Sequence, residues 1–279
     1  GVDYSTTNYE ISPNENVRTG GRLSIGRRLS SSRNLSLVGT FENVDYDDDV
    51  TNPNYDRRSV FLRFASFNTR GSLTVDLGVN EVEIDGSGQT SDGTLFRIDW
   101  IRELSSGLEL TIGAGTRYSD QGDLFRLLRG VSFDLRNAED VVGTGTPFRN
   151  NFATATLSLD RPRTSVDLVG FISDEDYEGL SNLDREATRF SFSVTREFTR
   201  KIFGELGADS TSRKFGNLGR DDRDLQYTVA LGYWIMEALS ATLSYQHFDR
   251  SSDQNVTEFD EDRVFLRFSY VPRWSREQQ

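Results

Sequence analysis

The chain of 279 residues contains no cysteine, one histidine and only two lysines, Lys201 and Lys214. Without cysteine it has no disulfide framework and no thiolate chemistry, as suits a protein that crosses an oxidising compartment. No stretch approaches the roughly 18 consecutive apolar residues of a membrane helix, and the mean hydropathy is −0.55. The net charge of −12 argues against a nucleic-acid partner, whose phosphates would be repelled.

The composition leaves two classes of protein. Only 35% of the residues are hydrophobic, which suits either a disordered acidic chain or a β-barrel that shows lipid an apolar side chain at every second position. Disorder is disfavoured because aromatic residues make up 11% of the chain and Val, Leu, Ile and Phe alternate with polar residues. The composition therefore favours a membrane β-barrel.

Short polar turns recur along the chain at nearly even spacing. They lie near residues 31, 69, 105, 161, 199 and 237, which gives gaps of 38, 36, 56, 38 and 38 residues. Longer acidic stretches rich in glycine and asparagine separate these turns. Because short turns that alternate with long loops are typical of bacterial outer-membrane barrels, we predict one outer-membrane domain over residues 1–279.

Alternation of apolar and polar residues predicts about fourteen strands. The predicted spans are 1–10, 17–29, 34–46, 56–68, 71–83, 93–103, 107–119, 149–160, 163–175, 185–197, 201–213, 223–234, 239–249 and 260–271. An even count places both ends of the chain on the periplasmic side. The predicted fold class is all-β: a single transmembrane, antiparallel up-and-down β-barrel.

A soluble β-sandwich gives the same alternation, because its apolar face points inward and its polar face meets water. In 56–68, one side carries Val60, Leu62 and Phe64, while Arg63 lies on the other side. Strands of a sandwich average about five or six residues. The predicted strands are longer and match the roughly nine to eleven residues of a tilted membrane strand. Strand length therefore favours the barrel.

Aromatic residues near the strand ends suggest two belts at the membrane interfaces. Three tryptophans lie near the short turns or the C-terminal end, and several tyrosines lie toward the long loops. The residues that we predict at the interfaces are Trp100, Tyr118, Trp234, Tyr245 and Trp274.

The gap of 56 residues contains the longest loop, at about 120–148. Long loops without regular structure in compact domains tend to be functional. One interpretation is a constriction or plug at the pore mouth; the other is a surface helix on the rim or a contact with a neighbouring protein. The residues predicted to form the constriction are Leu124, Phe125, Arg126, Leu127, Leu128 and Arg129.

Charged residues on the polar side of the strands are predicted to line the pore. Rings of charge select solutes, and pairs of arginine and carboxylate also stabilise a wet lumen; we expect both roles. Mixed signs suit a neutral or weakly acidic sugar chain. The predicted pore-lining residues are Glu42, Arg63, Asp76, Arg97, Asp99, Glu109, Arg117, Asp167, Arg189, Glu205, Asp209 and Arg267.

The single histidine, His247, is followed by Asp249. A catalytic base requires a positioned nucleophile or water, but alternation puts His247 on the apolar face with Leu243 and Tyr245. We therefore predict no catalytic residue. The acidic runs DYDDD (45–49), DEDYE (174–178) and DEDR (260–263) lack the twelve-residue calcium loop, so we predict no metal site and no cofactor.

Three segments resemble bacterial outer-membrane β-barrel proteins encoded with exopolysaccharide and exosortase systems, a porin-like family. They are RRLSSSRNLSLVGTFENVDYDD (27–48), NYDRRSVFLRFASF (54–67) and FDEDRVFLRFSY (259–270). The resemblance covers most of the chain and consists of a pattern of strand, turn and loop, without catalytic residues. It implies an outer-membrane barrel of the kind assigned to polysaccharide export.

Two functions follow, with a third kept as a minor alternative. The first is an aqueous conduit for an exported polysaccharide or small hydrophilic solutes. The second is a scaffold barrel with a closed lumen that contacts partner proteins or the cell surface. The third is a hydrolase that depends on His247. Expected partners are outer-membrane lipid and lipopolysaccharide, with a polysaccharide, an export-complex protein or further copies of the chain as additional candidates.

Overall fold

The computed structural model describes residues 2–7, 16–47, 52–86, 88–120, 146–236, 238–253 and 258–270. Fourteen strands lie in these ranges, together with one short 3-10 helix at Ser181–Leu183. The strands, numbered β1 to β14 in chain order, are Val2–Thr7, Asn16–Ser30, Arg33–Tyr46, Tyr55–Asn68, Gly71–Ile84, Gln89–Ser105, Leu108–Ser119, Phe148–Arg161, Thr164–Tyr177, Arg185–Glu197, Ile202–Phe215, Arg220–Met236, Leu239–Ser252 and Phe259–Tyr270. Within those ranges, no helix combines the length and apolar character required to cross a membrane.

All fourteen strands belong to one sheet, and their order in the sheet is their order in the chain. The registers are antiparallel, as in Arg63 opposite Asp76 and Val60 opposite Val79. This confirms the predicted all-β, up-and-down architecture and its strand count. In the part of the chain that the structure describes, β1 and β14 are the two edges of the sheet. The described part of the first strand, Val2–Thr7, lies within the predicted span 1–10.

The short turns fall where the sequence predicted them. The turn between β6 and β7 requires glycine at position 107, where φ is +70° and a Cβ atom would lie 2.1 Å from the carbonyl oxygen of Asp160. The amide of Asp160 donates to the carbonyl of Gly107 at 2.6 Å. A side chain at this position would be strained and would also collide with the neighbouring strand.

The chain divides into two compact units, and each is described by itself. Unit 1 comprises residues 1–100, 113–153 and 173–185; unit 2 comprises residues 101–112, 154–172 and 186–279.

Each unit has one apolar and one polar face. In β2 of unit 1, Leu23 and Ile25 are 80% and 75% exposed, and in β14 of unit 2 the exposed side chains include Val264 and Leu266. The alternate positions carry charged side chains that pair between strands. We call these two surfaces the apolar face and the ion-paired face. Exposed apolar side chains on this scale are expected of a surface covered by lipid.

Candidate functional site

On the ion-paired face, charged side chains connect neighbouring strands. In unit 1, Arg63 donates to Asp76 through two nitrogens, both at 2.7 Å. In unit 2, Arg189 donates to Asp209 at 2.8 Å. The first pair joins β4 to β5 and the second joins β10 to β11. Each therefore connects strands that are neighbours in the sheet, as cross-strand side-chain pairs do. Bidentate pairs of arginine and carboxylate hold the geometry of a polar wall.

Asp224 of unit 2 is the most elaborate of these neighbouring-strand contacts. Its buried carboxylate on β12 accepts from Arg213 on β11 at 2.7 Å and from Arg250 on β13 at 2.7 and 3.0 Å. One carboxylate therefore joins three consecutive strands. Buried charges of this kind are stable because they are paired and hydrogen-bonded.

A different arrangement surrounds Asp120, which directly follows β7 in unit 1. Its carboxylate is fully buried, forms an ion pair with Arg18, and accepts hydrogen bonds from the hydroxyls of Tyr46 at 3.2 Å and Tyr55 at 2.5 Å. These three partners lie on β2, β3 and β4. We call the four residues the Asp120 network.

The Asp120 network joins strands that are not neighbours in the sheet. Two strands, β5 and β6, separate β4 from β7, and neighbouring strands lie about 4.8 Å apart. Along the sheet, β4 and β7 are therefore about 14 Å apart, and β2 and β7 are about 24 Å apart. Side-chain hydrogen bonds cannot cover these distances along the wall. The ion-paired face of unit 1 is therefore bridged from one side to the other at the end of β7.

A second bridge runs beside the first. Arg57 on β4 forms an ion pair with Glu42 on β3 and donates to the carbonyl oxygen of Tyr118 on β7 at 3.0 Å. Arg18 lies 3.8 Å from Glu42, which links the two bridges. The end of β7 is thus held by both a side chain and a main-chain carbonyl.

A third contact reaches the same place from β9. Glu178, just past the end of β9, accepts from Tyr118 at 2.9 Å and from Ser91 on β6 at 2.8 Å. Tyr46, Tyr55 and Tyr118 also belong to a cluster of buried side chains, which are Val44, Tyr46, Tyr55, Val82, Ile84 and Tyr118. Polar bridges around a small apolar core fill this end of unit 1.

The structure corrects the predicted interface role of Tyr118. Its side chain is 4% exposed and contacts carboxylate and backbone groups of unit 1 instead of the exterior. Glycine at position 93 makes this possible, since a Cβ atom there would lie 2.9 Å from the Tyr118 ring. Tyr46 and Tyr177, two further tyrosines at strand ends, are buried as well. An aromatic residue near a strand end has the same sequence pattern in either environment.

The other predicted site residues are placed as follows. Glu42, Arg63, Asp76, Arg189 and Asp209 form the pairs described above; Arg97 pairs with Asp99 at 2.6 Å, Asp167 accepts from Ser158 at 2.6 Å, and Arg117 lies over the ring of Phe152. Three others are exposed, namely Glu109, Glu205 and Arg267. A pore-lining role stays a prediction for the whole set.

The predicted constriction residues Leu124, Phe125, Arg126, Leu127, Leu128 and Arg129 lie outside the described residues, as does Trp274. Of the remaining predicted interface aromatics, Trp100 and Trp234 are half-buried and Tyr245 is exposed. Their membrane role stays a prediction.

His247 lies on the apolar face of β13 and contacts acidic residues. Its Nδ1 atom is 3.0 Å from Asp262 and 3.6 Å from Asp260. Tyr245 donates to Asp262 at 2.5 Å, and the ring of Tyr227 stacks on the imidazole with centroids 6.5 Å apart. His247, Asp260 and Asp262 each offer one atom that could bind a metal ion. They lie on an exposed surface, where acidic groups are common without a metal ion. They do not join a base to a nucleophile.

Sequence reasoning missed the Asp120 network apart from its neighbour Glu42. Alternation shows only which side chains of one strand point to the same face of the sheet. The network depends instead on contacts between residues that are 65 to 102 positions apart in the sequence. One signal was available in the sequence: Asp120 lies at the start of the loop at about 120–148, in the gap of 56 residues between short turns.

The comparison with protein families supports the same architecture. Residues 171–270, from within β9 to the end of β14, match the family described as "Putative beta-barrel porin 2". No curated protein matches the chain. This family match confirms the porin-like resemblance, while the link to exopolysaccharide systems stays a prediction.

Three solved structures among those that match the chain illustrate the range of similarity. The copper transporter OprC matches with a TM-score of 0.55 and 15% identity, over 93% of this chain and 49% of its own. A loop L8 deletion mutant of OmpT from Vibrio cholerae matches with a TM-score of 0.44 and 11% identity, over 97% and 99% of the two chains. The NanC porin matches with a TM-score of 0.37 and 11% identity, over 92% and 99%. The likeness to OprC concerns the fold alone.

Together, the family match over residues 171–270 and the fourteen antiparallel strands of the described residues support a porin-like β-barrel fold of the outer-membrane type. The predicted localisation is confirmed.

Proposed function

We propose that this protein is an aqueous conduit across the outer membrane. The observation that carries the proposal is the contrast between the two faces: exposed Leu and Val side chains suit lipid, while pairs such as Arg63–Asp76 suit water. In a membrane barrel, the polar face lines the lumen. Charged side chains that are paired across the wall leave a hydrated path without a strong field of one sign.

Passage through the conduit is restricted in unit 1 by the Asp120 network. The network bridges the ion-paired face, which faces the lumen in our proposal. Solutes therefore pass only where the bridge leaves room, or when its contacts break.

The proposed cargo is hydrophilic: an exported polysaccharide or small solutes. The paired charges on the wall have both signs, so they provide hydrogen bonds without strong repulsion of either anions or cations. A neutral or weakly acidic sugar chain fits such a wall. The resemblance to proteins encoded with exopolysaccharide systems favours the polysaccharide.

Conductance of the purified full chain in planar lipid bilayers tests the conduit. We expect discrete channels in wild type and roughly twofold higher conductance in Asp120→Ala, because the variant removes the acceptor at the centre of the bridge. Asp224→Ala is the matched control: it also removes a buried, arginine-paired carboxylate, but one that joins neighbouring strands. Deletion of residues 123–147 tests the predicted constriction loop separately.

The scaffold barrel is the second candidate, and the bridged face of unit 1 favours it. If the lumen is closed whether or not the network and residues 123–147 are intact, wild type, Asp120→Ala and the deletion variant will all be silent in bilayers. That result would contradict the conduit and leave a barrel that acts through contacts with lipopolysaccharide, partner proteins or other copies of the chain.

We expect no enzymatic activity. The contacts of His247 are carboxylates and a stacked ring, an arrangement without a nucleophile. Any hydrolase activity of the purified protein that disappears in His247→Ala would contradict this expectation.

A further inference from the structure

Three buried polar atoms in unit 1 stand apart from the dense pairing around them. Among the residues that the structure describes, no hydrogen-bond partner lies within reach of Ser119 Oγ, Asn150 Oδ1 or Ser173 Oγ. The three side chains are 1%, 1% and 6% exposed. They lie on β7, β8 and β9, which are consecutive in the sheet.

Cross-strand contacts place Asn150 beside a buried ion pair. Phe148 on β8 packs against Tyr177 on β9 with ring centroids 4.7 Å apart, and the next residue along, Arg149, pairs with Asp176. In an antiparallel ladder, Asn150 then lies opposite Glu175. Glu175 is buried and accepts from Arg185 on β10 at 2.7 Å. The unpartnered amide oxygen therefore lies next to a carboxylate that is already neutralised.

The chemistry of the three atoms selects the kind of partner. A buried polar atom without a hydrogen bond is costly, so each of the three is expected to meet a partner when the protein works. Two are hydroxyls, which both donate and accept, and the third is an amide oxygen, which accepts. All are neutral. Their complement is a group that donates and accepts without charge, which describes the hydroxyl groups of a sugar better than a phosphate or a metal ion.

Aromatic rings lie beside these atoms. Phe148 and Tyr177 form the pair described above. The Cζ atom of Arg117 lies over the Phe152 ring, 5.5 Å from the ring centroid. Sites for small polar ligands combine a few convergent polar groups with aromatic walls. The apolar face of a sugar ring packs on such walls, and its hydroxyls meet the polar atoms.

We propose that Ser119, Asn150 and Ser173 form a subsite for a saccharide within unit 1. The subsite deepens the proposed conduit, on which it rests, by naming the substrate class as a glycan without strong charge. Arginines also lie on this part of the sheet, Arg117 among them, so the ligands to be tested include a weakly acidic sugar such as a uronate.

Calorimetric titration of the purified full chain in detergent tests the subsite. The probes are maltohexaose, which is neutral, and a hexamer of galacturonate, each titrated to millimolar concentration. We expect binding of at least one probe in wild type. Because the side chains are buried, Asp120→Ala, which breaks the network at the residue next to Ser119, is titrated as well. Absence of binding of both probes to both proteins overturns the proposal.

Two variants separate the saccharide from ordinary hydration. Ser173→Ala and Asn150→Leu each remove one of the unpartnered atoms, and we expect each to weaken saccharide binding by about tenfold. Thermal stability should hold or rise, since an unpartnered polar atom is replaced by an apolar group. Ser59→Ala, a buried serine on β4 of the same unit, is the control and should bind as wild type does. Unchanged binding in both variants would mean that the atoms meet water only, which overturns the subsite.

The result is distinguishable from the fate of the conduit. Saccharide binding that depends on Asn150 and Ser173 in a protein without conductance would support the subsite and contradict the conduit. Conductance without such saccharide binding would support the conduit and contradict the subsite. A heat-modifiability shift on gels confirms that each variant is folded before it is titrated.

Discussion

Asp120 of unit 1 and Asp224 of unit 2 are both buried aspartates that pair with arginine, and they act on different parts of the fold. Asp224 joins β11, β12 and β13, which are consecutive strands. Asp120 joins the end of β7 to β2, β3 and β4. The same chemistry thus strengthens the wall in one unit and bridges the face of the wall in the other.

This difference separates stability from permeability. A pair between neighbouring strands adds to the hydrogen-bonded ladder and leaves the space in front of the wall open. A bridge between distant strands occupies that space. In a barrel, the two arrangements should respond alike to unfolding experiments and differently to conductance measurements.

The largest expected effect is that of Asp120→Ala on stability and conductance together. Removal of one partner from a buried ion pair costs about 3–5 kcal/mol, and here two tyrosine hydroxyls also lose their acceptor. Urea unfolding in detergent, followed by tryptophan fluorescence, measures the free energy of unfolding. A loss below about 1 kcal/mol would contradict the network as a structural centre.

Asp224→Ala should cost a similar free energy of unfolding, about 3 kcal/mol, because Arg213 and Arg250 lose their shared acceptor in a buried position. Its conductance should equal that of wild type. If Asp224→Ala opened the channel as much as Asp120→Ala, the distinction between wall and bridge would be wrong.

A smaller effect is expected at position 93. An alanine there brings a Cβ atom to 2.8 Å from Asn80 and 2.9 Å from Tyr118, so both side chains must move. Overpacking of this kind costs about 1–3 kcal/mol. The comparison is with Gly21→Ala on β2, where nothing lies within 4 Å of the added atom. Equal melting temperatures for the two variants would argue against a tight fit around Tyr118.

The smallest effect concerns two ion pairs on opposite faces of unit 1. Arg149–Asp176 is about half exposed, whereas Arg185–Glu175 is buried, and both have a separation of 2.7 Å. Asp176→Asn should change the free energy of unfolding by less than about 1 kcal/mol, and Glu175→Gln by more. Salt titration of the melting temperature checks the order, since only the exposed pair is screened effectively.

The sequence was sufficient for the strands and the short turns. Strand predictions such as 34–46 and 71–83 differ from β3 and β5 by one residue, because alternation and turn chemistry are local properties. Neighbouring pairs such as Arg63–Asp76 were also accessible, since both residues lie on the predicted polar side. The Asp120 network was not, because Arg18, Tyr46 and Tyr55 come together only through contacts between distant hairpins. Tyr118 was misplaced for a related reason: alternation does not show whether an aromatic side chain near a strand end meets the exterior or, as Tyr118 does, contacts Glu178.

The position of Asp120 also has a consequence for the order of folding. Its contacts close chain separations of 102, 74 and 65 residues, to Arg18, Tyr46 and Tyr55. Hairpins form from local contacts first, and contacts of high sequence separation form late because loop closure is costly. We expect Tyr46 and Tyr55 to become protected from modification only after the hairpins β2–β3 and β4–β5 have formed, which time-resolved footprinting during refolding measures. Completion of the Asp120 network is then a late step in the folding of unit 1, and a chain arrested before that step should stay sensitive to an added protease.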